Sequence, residues 1–250
     1  MIPPTHPRYE SLRIREMLAG GFEAGAVASE GLMAHGRGEA FDYMLGEEST
    51  ITAQRAAHAA AAALLLSKKP VISVNGNLAA LCAADAVRLA EAAGCILEVN
   101  LFYDDIRRRR VIAGMLRRRG AAEVLGTEED RATLPGTDSP RRLVSARGIL
   151  AADTVLVPLE DGDRAEALAA AGKRVIAIDL NPASRTARAA HITIVDNVVR
   201  AMPRLAQYCS QMTQYDEGSL RAVLGAFRND SNLAESSRIM ARNFGGGRRA

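Results

Sequence analysis

Tryptophan is absent, and the aromatic residues together make up only 4% of the chain. Sequence-tolerant binding of single-stranded nucleic acid leans on bases stacked over aromatic rings, so this composition argues against a nucleic-acid partner. Cysteine is scarce: Cys82, Cys95 and Cys209 are odd in number and far apart, and no pair has metal-ligand spacing. That pattern argues against a disulfide framework or a zinc site and suits reduced, partly buried thiols in a cytoplasmic protein. No secretory signal is expected, because Pro3, Pro4, His6 and Pro7 stand where an apolar core would be required. The longest apolar run, 56–66, contains His58 and is too short to span a bilayer, so no membrane partner is expected. No strand-like run is followed by GxGxxG or GxxxxGK[ST], which weakens a standard dinucleotide enzyme and a P-loop NTPase. A strong charge of either sign is also missing. The net +3 suits phosphate binding and does not by itself imply a polyanion.

What remains is a 250-residue chain, 48% hydrophobic and 24% charged, which is ordinary for a soluble protein with a sizeable core. Three sections differ in rhythm. Section 1–69 reads as helical, with a helix from residue 8 ended by Gly20 and Gly21. A second amphipathic piece covers 22–33, and an Ala-rich helix over 50–67 is stopped by Lys68, Lys69 and Pro70. Section 70–203 alternates short β-branched runs with helices: strands at 71–74, 96–99, 154–158, 175–178 and 192–195, with a weaker one at 123–125. Residues 127–147, with Pro135, Gly136 and Pro140, read as an excursion. Section 204–250 returns to helix and ends in a glycine-rich tail over 243–250 that is expected to fray. Alternation of this kind implies an α/β fold: a Rossmann-like parallel sheet of about six strands with helices on both faces, flanked by N-terminal and C-terminal helices.

In such sheets ligands sit beyond the carboxyl ends of strands. The richest stretch is 174–197, RVIAIDLNPASRTARAAHITIVDN, where Asp179, Leu180 and Asn181 end one strand and Asp196 and Asn197 end the next, with Arg185, Thr186 and Arg188 between. Those residues suit an anionic, nucleotide-sized ligand. Arg37, flanked by Gly36 and Gly38 with His35, Glu39 and Asp42 nearby, reads either as an anion clamp on a close-approaching backbone or as an interhelical turn with a surface ion pair. Asn75-Gly76-Asn77 and Glu160-Asp161-Gly162-Asp163 stand at two further strand ends. The acidic group either holds Mg²⁺, attracts a substrate ammonium, or merely opens the next helix with Asp163 as its cap. The arginines at 107–110 and 117–119 surround an apolar stripe of Val111, Ile112, Met115 and Leu116, and read as a solvated helix face.

The stretches PRYESLRIRE, GLMAHGRGEAFDYMLGE, PVISVNGN, EVNLF, IDLNPASRTAR and ITIVDNVVRA, taken together and in order, resemble the archaeal phosphopantothenate synthetases, or 4-phosphopantoate–β-alanine ligases, from about residue 2 to 203. The resemblance implies a homodimeric ligase of coenzyme A biosynthesis. Its substrates would be ATP with Mg²⁺, 4-phosphopantoate and β-alanine, and it would work through an acyl adenylate. It places ATP contacts on Arg15, Arg37, Asp179, Leu180, Asn181, Arg185, Thr186, Asn197 and Val198. Catalytic or positioning roles are assigned to His35, Arg37, Glu39, Asn75, Glu160 and Asp161, and no metal ligand is assigned. Another α/β phosphate-binding enzyme, or a non-catalytic nucleotide- or RNA-binding protein, stands as the alternative.

Overall fold

The computed structural model describes residues 3–127, 131–138 and 140–245. Residues 1–2, part of the 127–147 excursion and most of the expected tail, 246–250, therefore lie outside the described residues. The chain enters through α1 (Tyr9–Glu23), α2 (Ser29–Leu45) and α3 (Ile51–Leu65). It then alternates β1 (Pro70–Val74), α4 (Gly76–Ala93), β2 (Ile96–Val99) and α5 (Ile106–Arg117). A small antiparallel pair, β3 (Arg131–Thr133) and β4 (Leu143–Ser145), precedes β5 (Thr154–Pro158), α6 (Gly162–Ala170), β6 (Arg174–Ile178), α7 (Arg185–Ala189) and β7 (Ile192–Ile194). Helices α8 (Val198–Met212), α9 (Glu217–Ala226) and α10 (Asn229–Gly245) complete it.

Among the described residues the main sheet has five parallel strands in the order β2-β1-β5-β6-β7. Both faces are covered, which is why the strands read as continuous apolar runs. Alternate side chains go to opposite cores: Ile72, Val74, Ile176 and Ile178 to one, Val71, Val155, Val175 and Ala177 to the other. The first core is shared with α3, α4 and α8 and extends to Ile14 of α1 and Leu220 of α9. The second is closed by α6 through Ala165 and Leu168 and by Leu134 and Val144 beside the β3–β4 pair. Each buried aliphatic side chain contributes roughly 1.5–3 kcal/mol. The small residues of α3 let it lie close to β7 and α8, and the Thr50 hydroxyl caps its start by accepting from Ala53 N at 3.2 Å.

Four sequence expectations are corrected here. The sixth strand, 123–125, is reduced to one parallel bridge between Glu98 and Leu125. The 127–147 excursion contains the β3–β4 pair and a 3₁₀ turn, Pro140–Arg142. Gly20 and Gly21 do not end α1. A Cβ on Gly21 would stand 2.7 Å from Ala80 Cβ, so glycine there serves the close packing of α1 on α4. Gly36, Arg37 and Gly38 form neither a loop nor a turn but lie within α2, which ends at the left-handed Gly46 (φ 89°).

Candidate functional site

Strand order locates the first compartment. From β1 the chain moves outward to β2 on one side, and the later strands β5, β6 and β7 extend on the other, so the crevice between the ends of β1 and β5 is the topological switch point. Asn75 ends β1 and holds this place together. Its Oδ1 caps α4 by accepting from Leu78 N at 3.0 Å, and its Nδ2 donates to Pro158 O (2.9 Å) and Leu159 O (3.2 Å) across the crevice. Leu159 has φ 56°, a left-handed conformation costly for a side chain of this size, and the bond from Asn75 helps to fix it. The α1–α2 connection folds down over the same point. A Cβ on Gly76 would lie 2.1 Å from Ala26 O, and Asn77 Nδ2 donates to Gly31 O at 2.8 Å.

The resulting cavity, about 260 Å³, is bounded by Ala26–Ala34 residues of α2 and its approach, by Leu101, Phe102, Tyr103 and Arg108, and by Arg141, Leu159 and Asp161. Its floor is ionic. Glu160, with 1% of its side chain exposed, pairs with both Arg141 and Arg164, and Arg164 Nη1 also donates to Ser73 Oγ at 3.1 Å. Asp161 is the open carboxylate, 40% exposed, with Arg141 Nε at 3.1 Å. Burial pushes its pKa up and the Arg141 charge counters that.

The second compartment lies at the ends of β6 and β7, against α2. Asp179 folds the loop after β6: it accepts from Asn181 N at 2.9 Å and from Ser184 Oγ at 2.5 Å, and Ser184 Oγ in turn caps α7. Burial raises the Asp179 pKa, while these bonds and the nearby Arg37 charge act to lower it. Gly38 brings α2 close to this loop, a Cβ there meeting Leu180 Cδ1 at 3.5 Å. After β7, Asn197 caps α8 by accepting from Val199 N at 3.2 Å, and its Nδ2 donates to Asp42 at 2.7 Å. Arg200 spans Asp42 (Nη2 to Oδ1, 2.5 Å) and Asp196 (Nε to Oδ1, 2.8 Å), and Ser49 Oγ donates to Asp196 at 2.5 Å. One turn earlier on α2, Glu39 receives Arg15 in a bidentate pair (3.0 and 2.6 Å) and Tyr43 Oη at 3.0 Å. Burial alone would raise the Glu39 pKa, but the Arg15 and Tyr43 hydrogen bonds hold it below the ordinary carboxylate value. His35 shares the adjoining cavity of about 230 Å³ with Glu39, Asp42, Asn197 and Arg200. Its Nε2 is enclosed without a partner among the described residues, and burial lowers its pKa.

Most candidate residues are thus brought together by one helix. α2 carries His35, Arg37, Glu39 and Asp42 to the β6–β7 side and lends Glu30, Gly31 and Ala34 to the switch-point crevice. Arg15 joins through Glu39, and Thr186 Oγ1 ties α7 to Glu160 O at 2.9 Å. Val198 opens α8, and Leu180 lies under α2. Arg185 instead pairs with Glu166 on the exposed side of α6 and α7. Asn75 and Glu160 are engaged inside the protein and hold the crevice in shape. Asp163 does not cap α6; Asp161 occupies that position, and Asp163 accepts from Thr137 Oγ1 at 3.0 Å. Arg109 departs from the solvated arginine face. It is buried, donates to Gly126 O at 3.0 Å and stands 3.3 Å from Asp104. Arg108 likewise leaves the solvated face to line the crevice, and Arg141 and Arg164 pair with Glu160, roles the sequence did not mark. Only the position of Arg164, one turn after Glu160, offered a signal in the sequence.

A doubly wound α/β sheet with polar, arginine-bearing compartments at its strand ends defines an enzyme class that handles small anionic ligands. The particular family follows from comparison with known proteins. Residues 52–243 match the model of the phosphopantothenate/pantothenate synthetase family, extending past residue 203, where the resemblance of the quoted stretches ends. The chain is 49% identical to the 4-phosphopantoate–β-alanine ligase of Thermococcus kodakarensis over 94% of its own length and 90% of that protein's. It is also 49% identical to the Methanosarcina mazei protein of the same name (94% and 92% covered), and 51% identical to that of Methanospirillum hungatei (86% and 87%). The chain belongs to the phosphopantothenate/pantothenate synthetase family.

Proposed function

We propose that this chain is an AMP-forming ligase that joins 4-phosphopantoate to β-alanine, giving 4′-phosphopantothenate for coenzyme A synthesis. The observation that carries the reading is identity of about half over nearly the full length of relatives named for that reaction. The two adjoining compartments support it, since a nucleotide and a small acid must meet at one point.

In the first half-reaction a carboxylate oxygen of 4-phosphopantoate attacks the α-phosphorus of ATP. The bond to the β-phosphate oxygen breaks and pyrophosphate leaves. The β-alanine amine then attacks the acyl carbon, AMP departs with the mixed-anhydride electron pair, and the nitrogen loses a proton. ATP is assigned to the β6–β7 side. There the loop at Asp179, Leu180 and Asn181, together with Thr186, Asn197 and Val198, offers backbone and side-chain contacts, and Arg37 and Arg15 neutralise phosphate charge. Arg185 reaches the same nucleotide only by exchanging Glu166 for it. Asp161 is assigned to the β-alanine ammonium, because it is a partly exposed carboxylate at the β5 end of the crevice and its raised proton affinity suits it to take up the released proton. His35, kept neutral by burial, lines the nucleotide-side cavity, and Glu39 and Asp42 position Arg15 and Arg200.

Mg²⁺ fits as an ion carried with the ATP phosphates. It commonly binds one or two carboxylates plus substrate phosphates, and no group of three or more His, Cys, Asp or Glu converges among the described residues. When bound with ATP, it would offset phosphate charge. The protein is assigned to the cytoplasm as a homodimer; among the described residues no helix is long and apolar enough to cross a membrane. The test is to supply Mg-ATP and 4-phosphopantoate with and without β-alanine and to follow AMP and pyrophosphate. AMP formation dependent on the acid supports the reading, whereas ADP formation, or no cleavage by folded protein, overturns it.

A further inference from the structure

The family description covers enzymes of a phosphorylated and of an unphosphorylated acid, so some feature of each member must read the phosphate. We propose that in this chain the feature is Arg108, and that the switch-point crevice, rather than the β6–β7 side, holds the phosphorylated hydroxy acid. The proposal rests on the ligase reading and deepens it by assigning one substrate to one compartment.

The charges decide the matter. Arg15 is matched by Glu39, Arg200 by Asp42 and Asp196, Arg185 by Glu166, and Arg141 by Glu160 and Asp161. Arg108 lines the crevice from the first turn of α5, and its one bond is Nη2 to the carbonyl of Tyr103 at 2.7 Å. Its Nε is enclosed and unpartnered, and no ion pair engages it among the described residues. A guanidinium in that condition keeps donors for a phosphate, which it can meet with two parallel bonds. The β6–β7 side is the poorer choice, because Glu39, Asp42 and Asp196 already gather there against Arg15 and Arg200, and its third arginine, Arg37 beside Asp179, is assigned to the nucleotide.

The rest of the crevice matches the acid's middle. Ala26, Ala28, Leu101 and Leu159 give an apolar wall for a quaternary carbon bearing two methyl groups. The cavity, about 260 Å³, has room for a small acid. Asp161 and, from α2, Glu30 repel anionic groups elsewhere on the wall, so the acid would lie with its phosphate held at Arg108 and its carboxylate toward the nucleotide side.

Steady-state kinetics on the wild type, Arg108→Gln and Arg108→Lys test this, with 4-phosphopantoate and with pantoate as the acid. Loss of one charge-assisted phosphate contact predicts a KM for 4-phosphopantoate about 10- to 100-fold higher in Arg108→Gln, with KM for ATP and the activity on pantoate unchanged and partial recovery in Arg108→Lys. An unchanged KM for 4-phosphopantoate, or equal rises for both substrates with the preference over pantoate intact, would overturn the proposal. If the wild type makes no AMP, the ligase reading fails separately. Calorimetric titration of 4-phosphopantoate then still decides for Arg108, tighter binding to wild type than to Arg108→Gln supporting it and equal binding overturning it.

Discussion

Removing the carboxylate of Asp42 should loosen the nucleotide side of the protein by a calculable amount. Asp42 is buried and accepts three bonds: Asn197 Nδ2 at 2.7 Å, Arg200 Nη2 at 2.5 Å and Arg200 Nη1 at 3.2 Å. Breaking a buried ion pair outright costs roughly 3–5 kcal/mol. Here Arg200 keeps Asp196, with Nε at 2.8 Å and Nη2 at 2.7 Å, so the charge is not stranded. Asn197 loses one partner but remains the cap of α8. We therefore expect Asp42→Ala to destabilise by about 2–3 kcal/mol, with Asp42→Asn costing about half of that because it keeps one acceptor. For a chain of this size that corresponds to a fall in Tm of about 5–10 °C for Asp42→Ala, read by circular dichroism or calorimetry. Because Asn197 and α2 would no longer be joined, KM for ATP should rise in the same variant while KM for β-alanine stays put. A Tm within about 1 °C of wild type would refute the energetic reasoning. A normal Tm with a raised ATP KM would show that the network orients the site without stabilising the fold.

Two glycines give opposite expectations. Gly76→Ala must push back the Ala26 carbonyl, so it should destabilise by about 1–3 kcal/mol and raise KM for 4-phosphopantoate. Gly36 has open space around a Cβ and lies in the interior of α2, so Gly36→Ala should stabilise by about 0.5–1 kcal/mol in urea unfolding, and a loss would contradict its helical setting. Burial lowers the pKa of His35, and of His191, whose Nδ1 accepts from Val175 N at 3.1 Å. A histidine depressed in this way binds its proton more readily unfolded. Stability should therefore be complete above about pH 6.5 and fall as pH drops below it, with His191→Gln flattening that slope.

The sheet was legible because each strand is a short β-branched run closed by Asn, Asp or Glu, and burial on both faces leaves no alternation to confuse the period. The caps Thr50, Asn75, Ser184 and Asn197 emerge only in the structure, and the one cap read from the sequence, Asp163, lies two residues past the capping position at Asp161. What misled was glycine. Gly36 and Gly38 each disfavour helix by about 1 kcal/mol, and the pull comes from tertiary partners, Arg15 on Glu39 and Arg200 on Asp42, 24 and 158 residues away. Gly21 looked like a stop and serves packing. On the candidate site, the strand-end residues of 174–197 could be read directly, whereas only the family resemblance tied Arg15 and Arg37 to them. The switch-point crevice was not, because it exists only once the strand order is known. Arg141 lay in a stretch without periodicity, and Arg108 resembled its exposed neighbours along one arginine-rich helix.

The position of α3 has a consequence for synthesis. This helix, among the most thoroughly buried, precedes the sheet, yet it packs on β7, α8, α9 and α10. A ribosome adding about 5–20 residues per second needs roughly 7–30 s to pass from the end of α3 to the end of α8. Throughout that interval the alanine- and leucine-rich surface has no native cover. The nascent amino-terminal third therefore cannot settle before the carboxyl-terminal helices arrive, and a chaperone acting on this protein would be needed early in translation.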